Sequence, residues 1–161
     1  MNERYIRQIM IPEIGEAGQE KLKNAKVLIV GIGGLGSPIS LYLTAAGVGQ
    51  IGLIDDDIVS KSNLQRQILY TEAEIGQSKV ECACRRLSAL NSSTRFETYP
   101  NRFTPDNANR LVSAYDIIVD GCDNAATRYL IDDVCSRFKK PYVYGSISEF
   151  RGQVSVFNYR G

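Results

Sequence analysis

The sequence predicts an α/β fold, a Rossmann-like, doubly wound, mostly parallel sheet with an antiparallel strand added near the C-terminus. Three observations carry that expectation. Apolar runs at residues 27–32, 51–54, 95–99, 116–120 and 142–144 alternate with stretches of helical periodicity, as βα units on a parallel sheet do. The first run, Val27-Leu28-Ile29-Val30, feeds straight into Gly31, Gly33 and Gly36, the G-x-G-x-x-G spacing of a strand–turn–helix phosphate loop. Residues 152–159 instead alternate apolar and polar, the pattern of a half-buried antiparallel strand after a turn near residues 149–152.

The elements follow in order. Residues 1–25 are expected to form a helical arm and residues 26–161 a single domain. Within the glycine turn, one glycine permits the sharp bend, one the approach of backbone to a phosphate, and one close packing of helix on strand. The helix N-terminus then faces the anion. This helix runs through Ile39, Leu41, Leu43 and Ala46 and stops at Gly47. A second carries an inward stripe of Val80, Cys84, Leu87 and Leu90. Thr104-Pro105 opens a third in N-cap then Pro order, with Ala108, Leu111, Val112 and Tyr115 facing inward. A fourth carries Ala126, Leu130, Val134 and Phe138 and ends before Pro141.

Composition narrows the function. With 161 residues, 43% apolar and 23% charged, the chain has enough material for a real core. A net charge of +1, with both signs scattered, gives no nucleic-acid footprint and no basic membrane-binding helix. No apolar signal core or bilayer-length span is visible, so the chain is expected to be cytoplasmic. Its four cysteines lack metal-ligand spacing and are expected to be reduced structural thiols. Histidine is absent altogether, which removes the commonest general base near neutral pH.

The glycine turn alone serves nicotinamide, flavin and ATP sites alike. Asp55 lies 19 residues past Gly36 at a strand end, where a carboxylate accepts ribose hydroxyls, although Asp55-Asp56-Asp57 also reads as ordinary loop chemistry. The next segment, Ser60-Lys61-Ser62-Asn63-Leu64-Gln65-Arg66-Gln67, brings an amide and a guanidinium, and Lys79 follows at the head of a helix. Singly, Arg66 and Lys79 read as solvated surface cations; jointly they suit a triphosphate. Cys122 reads as a small strand-end residue rather than a nucleophile.

Taken together these motifs resemble the adenylating enzymes of the ThiF, MoeB, HesA and ubiquitin-activating-enzyme superfamily. The resemblance rests on Arg4-Tyr5-Ile6-Arg7-Gln8, the turn at residues 31–36, Ser62-Asn63-Leu64-Gln65-Arg66-Gln67, Gly76-Gln77-Ser78-Lys79, residues 120–124 and Gly152-Gln153, in the family's order. It implies an ATP site in which Gly31, Gly33, Gly34 and Gly36 line the nucleotide and Asp55 holds the ribose. Asn63 and Arg66 would hold phosphates, Lys79 would bridge ribose and α-phosphate, and Asp123 would hold Mg²⁺. Arg7 would reach the ATP of a neighbouring subunit, implying a homodimer. For Arg7 the alternative is a surface charge, and for Asp123 an N-cap of the following helix. The implied reaction activates the C-terminal glycine of a ubiquitin-like sulfur-carrier protein ending in Gly-Gly, in thiamine or molybdopterin biosynthesis. Here Asp120-Gly121-Cys122-Asp123-Asn124 rearranges the middle of the family's Asp-Cys-Thr-Asp-Asn. The resemblance also implies a chain continuing past Gly161, with zinc-binding cysteine pairs there; no zinc ligand or catalytic cysteine is assigned within residues 1–161. The competing expectations are an NAD-dependent Rossmann oxidoreductase and a non-catalytic subunit of an activating-enzyme heterodimer.

Overall fold

In the computed structural model, which describes residues 3–159, six strands form one sheet. They are β1 (Lys26–Val30), β2 (Gln50–Ile54), β3 (Arg95–Tyr99), β4 (Ile117–Asp120), β5 (Tyr142–Ser148) and β6 (Arg151–Phe157). Their spatial order is β3-β2-β1-β4-β5-β6, all pairs parallel except β5 with β6. This is the expected doubly wound sheet with its added antiparallel strand. Six helices accompany it: α1 (Ile6–Ile9), α2 (Gly15–Asn24), α3 (Gly36–Ala46), α4 (Lys79–Leu90), α5 (Pro105–Ala114) and α6 (Ala125–Phe138).

Strand β1 explains the two-layered core. Val27 and Ile29 join the cluster under α3 and α4, whereas Leu28 and Val30 join the opposite one under α5 and α6. Every side chain of this strand past Lys26 is buried, so each residue contributes about 1.5–3 kcal/mol of apolar burial. After β1 the chain crosses to one face as α3; after β4 it crosses to the other as α6. The connections diverge there, opening a crevice beyond the carboxyl ends of β1 and β4, the place where ligands bind in open α/β sheets.

Helix stripes differ from the expected ones. In α6 the buried side chains are Ile131, Val134 and Cys135, while Ala126 and Phe138 are exposed and Leu130 is half-buried. A strict four-residue ladder drifts around a helix of 3.6 residues per turn; a core face needs alternating steps of three and four. Helix α4 buries Lys79, Val80, Cys82, Ala83 and Leu87, leaving Cys84 at the rim and Leu90 exposed, because it packs on the sheet and on α3 together. Against expectation, α3 turns Gly36, Ser37, Ser40 and Thr44 inward, and its Ile39, Leu41 and Leu43 are only half-buried. Small residues let this helix lie close to the strand. Helix α5 buries Ala108, Leu111 and Val112 as expected, with Tyr115 just beyond.

Strand β6 is exposed along its whole length, so its alternation does not report a half-buried face. Helices α3 and α4 cover β1, β2 and β3 on one face, where Val119 of β4 is buried with them, whereas β5 is only half-buried and β6 is exposed. An open apolar groove of about 590 Å³ remains, walled by Leu35, Ile39, Leu43, Val119, Val143 and Val154. The arm is tied to the end of α3 farthest from the crevice. Gln8 and Gln19 both donate to the Ala46 carbonyl, and buried Asn91 donates to the Tyr5 hydroxyl at 2.7 Å. Among the described residues, no helix is long and apolar enough to cross a membrane.

Candidate active site

The floor of the crevice is the glycine turn, fixed by two contacts that exclude side chains. Gly31 has φ 87°, and a Cβ there would stand 2.8 Å from the Cys122 nitrogen. A Cβ on Gly36 would collide with the Gly31 carbonyl oxygen. The turn is therefore pressed against the β4–α6 loop on one side and against α3 on the other.

Its centre, Ile32, is held at both backbone groups. The Ile32 N–H donates to Oδ2 of Asp55 at 2.7 Å, and the Ile32 carbonyl accepts the buried Tyr70 hydroxyl at 2.8 Å. Asp55 Oδ1 meanwhile accepts the Asp57 N–H at 2.9 Å. Burial pushes the Asp55 carboxyl above its ordinary value, opposed by those two N–H donors and by the Lys79 charge. Each oxygen retains a lone pair, so Asp55 can brace the turn and still accept ribose hydroxyls.

Two side chains of the 62–67 stretch lie over the turn. The Arg66 Cδ is 3.6 Å from the Cβ position of Gly34, and the Gln67 amide nitrogen is 3.5 Å from that of Gly33. Arg66 is exposed, with a long 3.4 Å contact from Nη1 to the Ser62 carbonyl. Asn63 is half-buried, and its carbonyl accepts the Arg66 and Gln67 N–H groups, so it closes the turn that aims them.

Lys79 is no surface cation. It is 3% exposed, and its Nζ sits 2.7 Å from Asp57 Oδ2. A bridge between Ile58 and Ser78 and a bond from the Lys79 N–H to the Asp57 carbonyl bring the two segments together. Asp57 and Tyr70 are site residues that the sequence reading missed. The three carboxylates 55–57 converge, yet Lys79 pairs with Asp57 and Arg102 with Asp56, so two of the three are already paired within the chain.

Asp123 stands in the loop that abuts the turn through Gly121. It is exposed, and the cap of α6 is Asn124, whose Oδ1 accepts the Thr127 N–H at 2.9 Å. The cap alternative for Asp123 therefore falls away. No side-chain hydrogen bond or ion pair of Asp123 occurs among the described residues, which leaves a carboxylate free to meet a hydrated Mg²⁺ beside bound phosphates. Cys122 is buried, its thiol pushed up to about 12 chiefly by desolvation and then by Asp120. A thiol in that state is a poor nucleophile. All four cysteines are free thiols.

Arg7 is not brought into this crevice. It is exposed on α1, which packs at the far end of α3, about 16 Å along an 11-residue helix from the glycine turn.

Comparison with known proteins identifies the family. A model described as the ThiF family matches residues 5–161. The adenylyltransferase and sulfurtransferase MOCS3 of Anopheles gambiae is 51% identical over 158 residues, covering 98% of this chain and 36% of that protein. The sulfur carrier protein adenylyltransferase of Thermus thermophilus is 48% identical over 157 residues, covering 98% of this chain and 58% of that one. Among solved structures, E. coli MccB with ATP has a TM-score of 0.80 at 32% identity, covering 91% of this chain and 45% of that one. The chain thus spans less than two-thirds of the length of these relatives. With a family match reaching from Tyr5 to the last residue, and relatives near half identical across the same span, the chain belongs to the ThiF family.

Proposed function

We propose that the chain is the nucleotide-binding part of an ATP-dependent adenylyltransferase that activates the C-terminal glycine of a ubiquitin-like sulfur-carrier protein. The observation that carries this reading is the glycine turn overlaid by Arg66 and Gln67, with Asp55 bracing it from below. The turn and the α3 N-terminus offer N–H donors to phosphates, Arg66 adds an exposed guanidinium above them, and Asp55 accepts ribose hydroxyls. Lys79, held by Asp57 beside Asp55, supplies a fixed positive charge between ribose and α-phosphate. Asp123 would hold Mg²⁺, which when bound offsets charge on the triphosphate.

The chemistry needs no histidine. A glycine carboxylate is already ionised at neutral pH; one of its oxygens bonds to the α-phosphorus as the bond to the bridging oxygen of the β-phosphate breaks. Acyl-adenylate and pyrophosphate result. Positioning and charge neutralisation are what the protein must supply, and these side chains supply both.

A homodimer completes the reading, with Arg7 serving the neighbouring site. It is supported by the distance of Arg7 from its own crevice and by the apolar groove, a patch of the kind that marks association surfaces. Domain organisation follows suit, residues 1–25 being the arm and 26–161 the adenylation domain, in a protein that works in the cytoplasm. The test is ATP–pyrophosphate exchange. Exchange that depends on a carrier ending in Gly-Gly, from either the thiamine or the molybdopterin branch, is expected in a dimeric protein extended to the length of the relatives. ATP binding without exchange for any such carrier would overturn the activity. Tight NADH binding with no affinity for ATP would restore the oxidoreductase reading.

A further inference from the structure

Arg128, one turn into α6, reaches back over the loop that precedes its own helix. Its Nη2 donates to the carbonyls of Cys122 at 2.9 Å and Gly145 at 3.3 Å. Nε lies 3.3 Å from Oδ2 of Asp120, and the guanidinium carbon sits 5.2 Å from the centre of the Tyr144 ring. Asp120 is fully buried at the end of β4. Its Oδ1 accepts the Cys122 N–H at 2.8 Å and its Oδ2 the Tyr142 hydroxyl at 3.1 Å. Both backbone groups of Cys122 are therefore held by the two members of one ion pair.

The next residue is Asp123. Because Asn124 takes the capping position and the Asp123 side chain has no partner among the described residues, nothing on that side chain sets its direction. The peptide between Cys122 and Asp123 sets it, and the oxygen of that peptide is bound by Arg128. An ammonium could keep the charge here. It could not reach two carbonyls, from the loop and from β5, and at the same time keep a second nitrogen 3.3 Å from a carboxylate and a flat face over a ring.

We propose that Arg128 is a positioning residue that aims Asp123 at the Mg²⁺ accompanying ATP. The inference rests on the Mg²⁺ role proposed for Asp123, and the experiment separates the two. ATP affinity is measured with Mg²⁺ and with EDTA for the wild-type chain, Asp123→Asn, Arg128→Lys and the neutral pair Asp120→Asn/Arg128→Gln, with thermal unfolding followed in parallel. The neutral pair avoids stranding a buried carboxylate. The gain in affinity that Mg²⁺ confers should shrink about 10-fold or more in all three variants, the usual loss when the support of a metal ligand is removed. Affinity in EDTA should stay near the wild-type value.

If Asp123→Asn keeps the full gain, the role of Asp123 is wrong and the inference falls with it. If Asp123→Asn loses the gain while a folded Arg128→Lys or the folded neutral pair keeps it, Arg128 does not position Asp123. Equal losses with Mg²⁺ and with EDTA, alongside a lowered melting temperature, would show a plain structural brace and overturn the proposal too.

Discussion

Asp55 works on two sides at once, bracing the glycine turn through the Ile32 N–H and facing the crevice with what remains of its lone pairs. Its burial has a consequence in pH. The folded state holds the Asp55 proton more tightly than the unfolded chain, so ionising it costs stability as pH rises from 3.8 through the raised value. The ribose contact proposed for Asp55 needs the ionised form. Nucleotide affinity should therefore weaken as pH falls through a midpoint above 3.8, and Asp55→Asn should bind weakly with that dependence gone; calorimetric titration across the acid range checks it. Arg66 gives a cleaner test, because it is exposed and braces little. Arg66→Ala should reduce exchange by about 100-fold, as loss of a charge-stabilising donor does, with an unchanged melting temperature. Full activity would remove Arg66 from the site. Residue types were legible at these positions and partners were not. Lys79 reads as a surface cation because its partner, Asp57, lies 22 residues earlier, and the pairing of residues 57–59 with 76–79 that joins the two segments is a tertiary contact with no local signal.

Elements carry the site by where they begin and end. The glycine turn was legible because its spacing is dictated by backbone contacts that no side chain can satisfy. Gly36→Ala would drive a Cβ into the Gly31 carbonyl, and should cost about 1–3 kcal/mol by overpacking while displacing the α3 N-terminus from the phosphates. Denaturant melts and ATP affinity should both report the loss. Helix α5 provides the contrast. Thr104 and Asn107 form its capping box, with Pro105 at the start, away from the crevice. Thr104→Ala should cost about 1 kcal/mol in the same melts and leave ATP affinity untouched. Thr104-Pro105 announced that start because capping is local chemistry. The stripes of α4 and α6 were harder to read, since the buried arc is chosen by the neighbours a helix meets, and α4 meets both the sheet and α3. Strand β6 was legible as an antiparallel addition, but its half-burial was not, for the same reason: alternation records which side chains share a face, but whether that face is covered depends on chain elsewhere.

At the scale of the whole molecule, strand order places the crevice at the β1/β4 divergence and sends the arm to the opposite end of α3. The βα alternation made a doubly wound parallel sheet legible, but not its strand order, and no sequence pattern shows that Arg7 and the glycine turn end up apart. In a dimer with Arg7 crossing to its neighbour, two defective chains should repair one another. Arg7→Ala retains Arg66, and Arg66→Ala retains Arg7. Random pairing of equal amounts makes half of the dimers mixed, and in each mixed dimer one site has Arg66 from its own chain and Arg7 from the other. Exchange should then recover to about a quarter of the wild-type level, although each variant alone is nearly inactive. If Arg7 served its own crevice, every site in the mixture would still lack one arginine. Activity that stays at the level of the single variants after subunit exchange, verified by co-purification of differently tagged chains, would place Arg7 outside the neighbouring site.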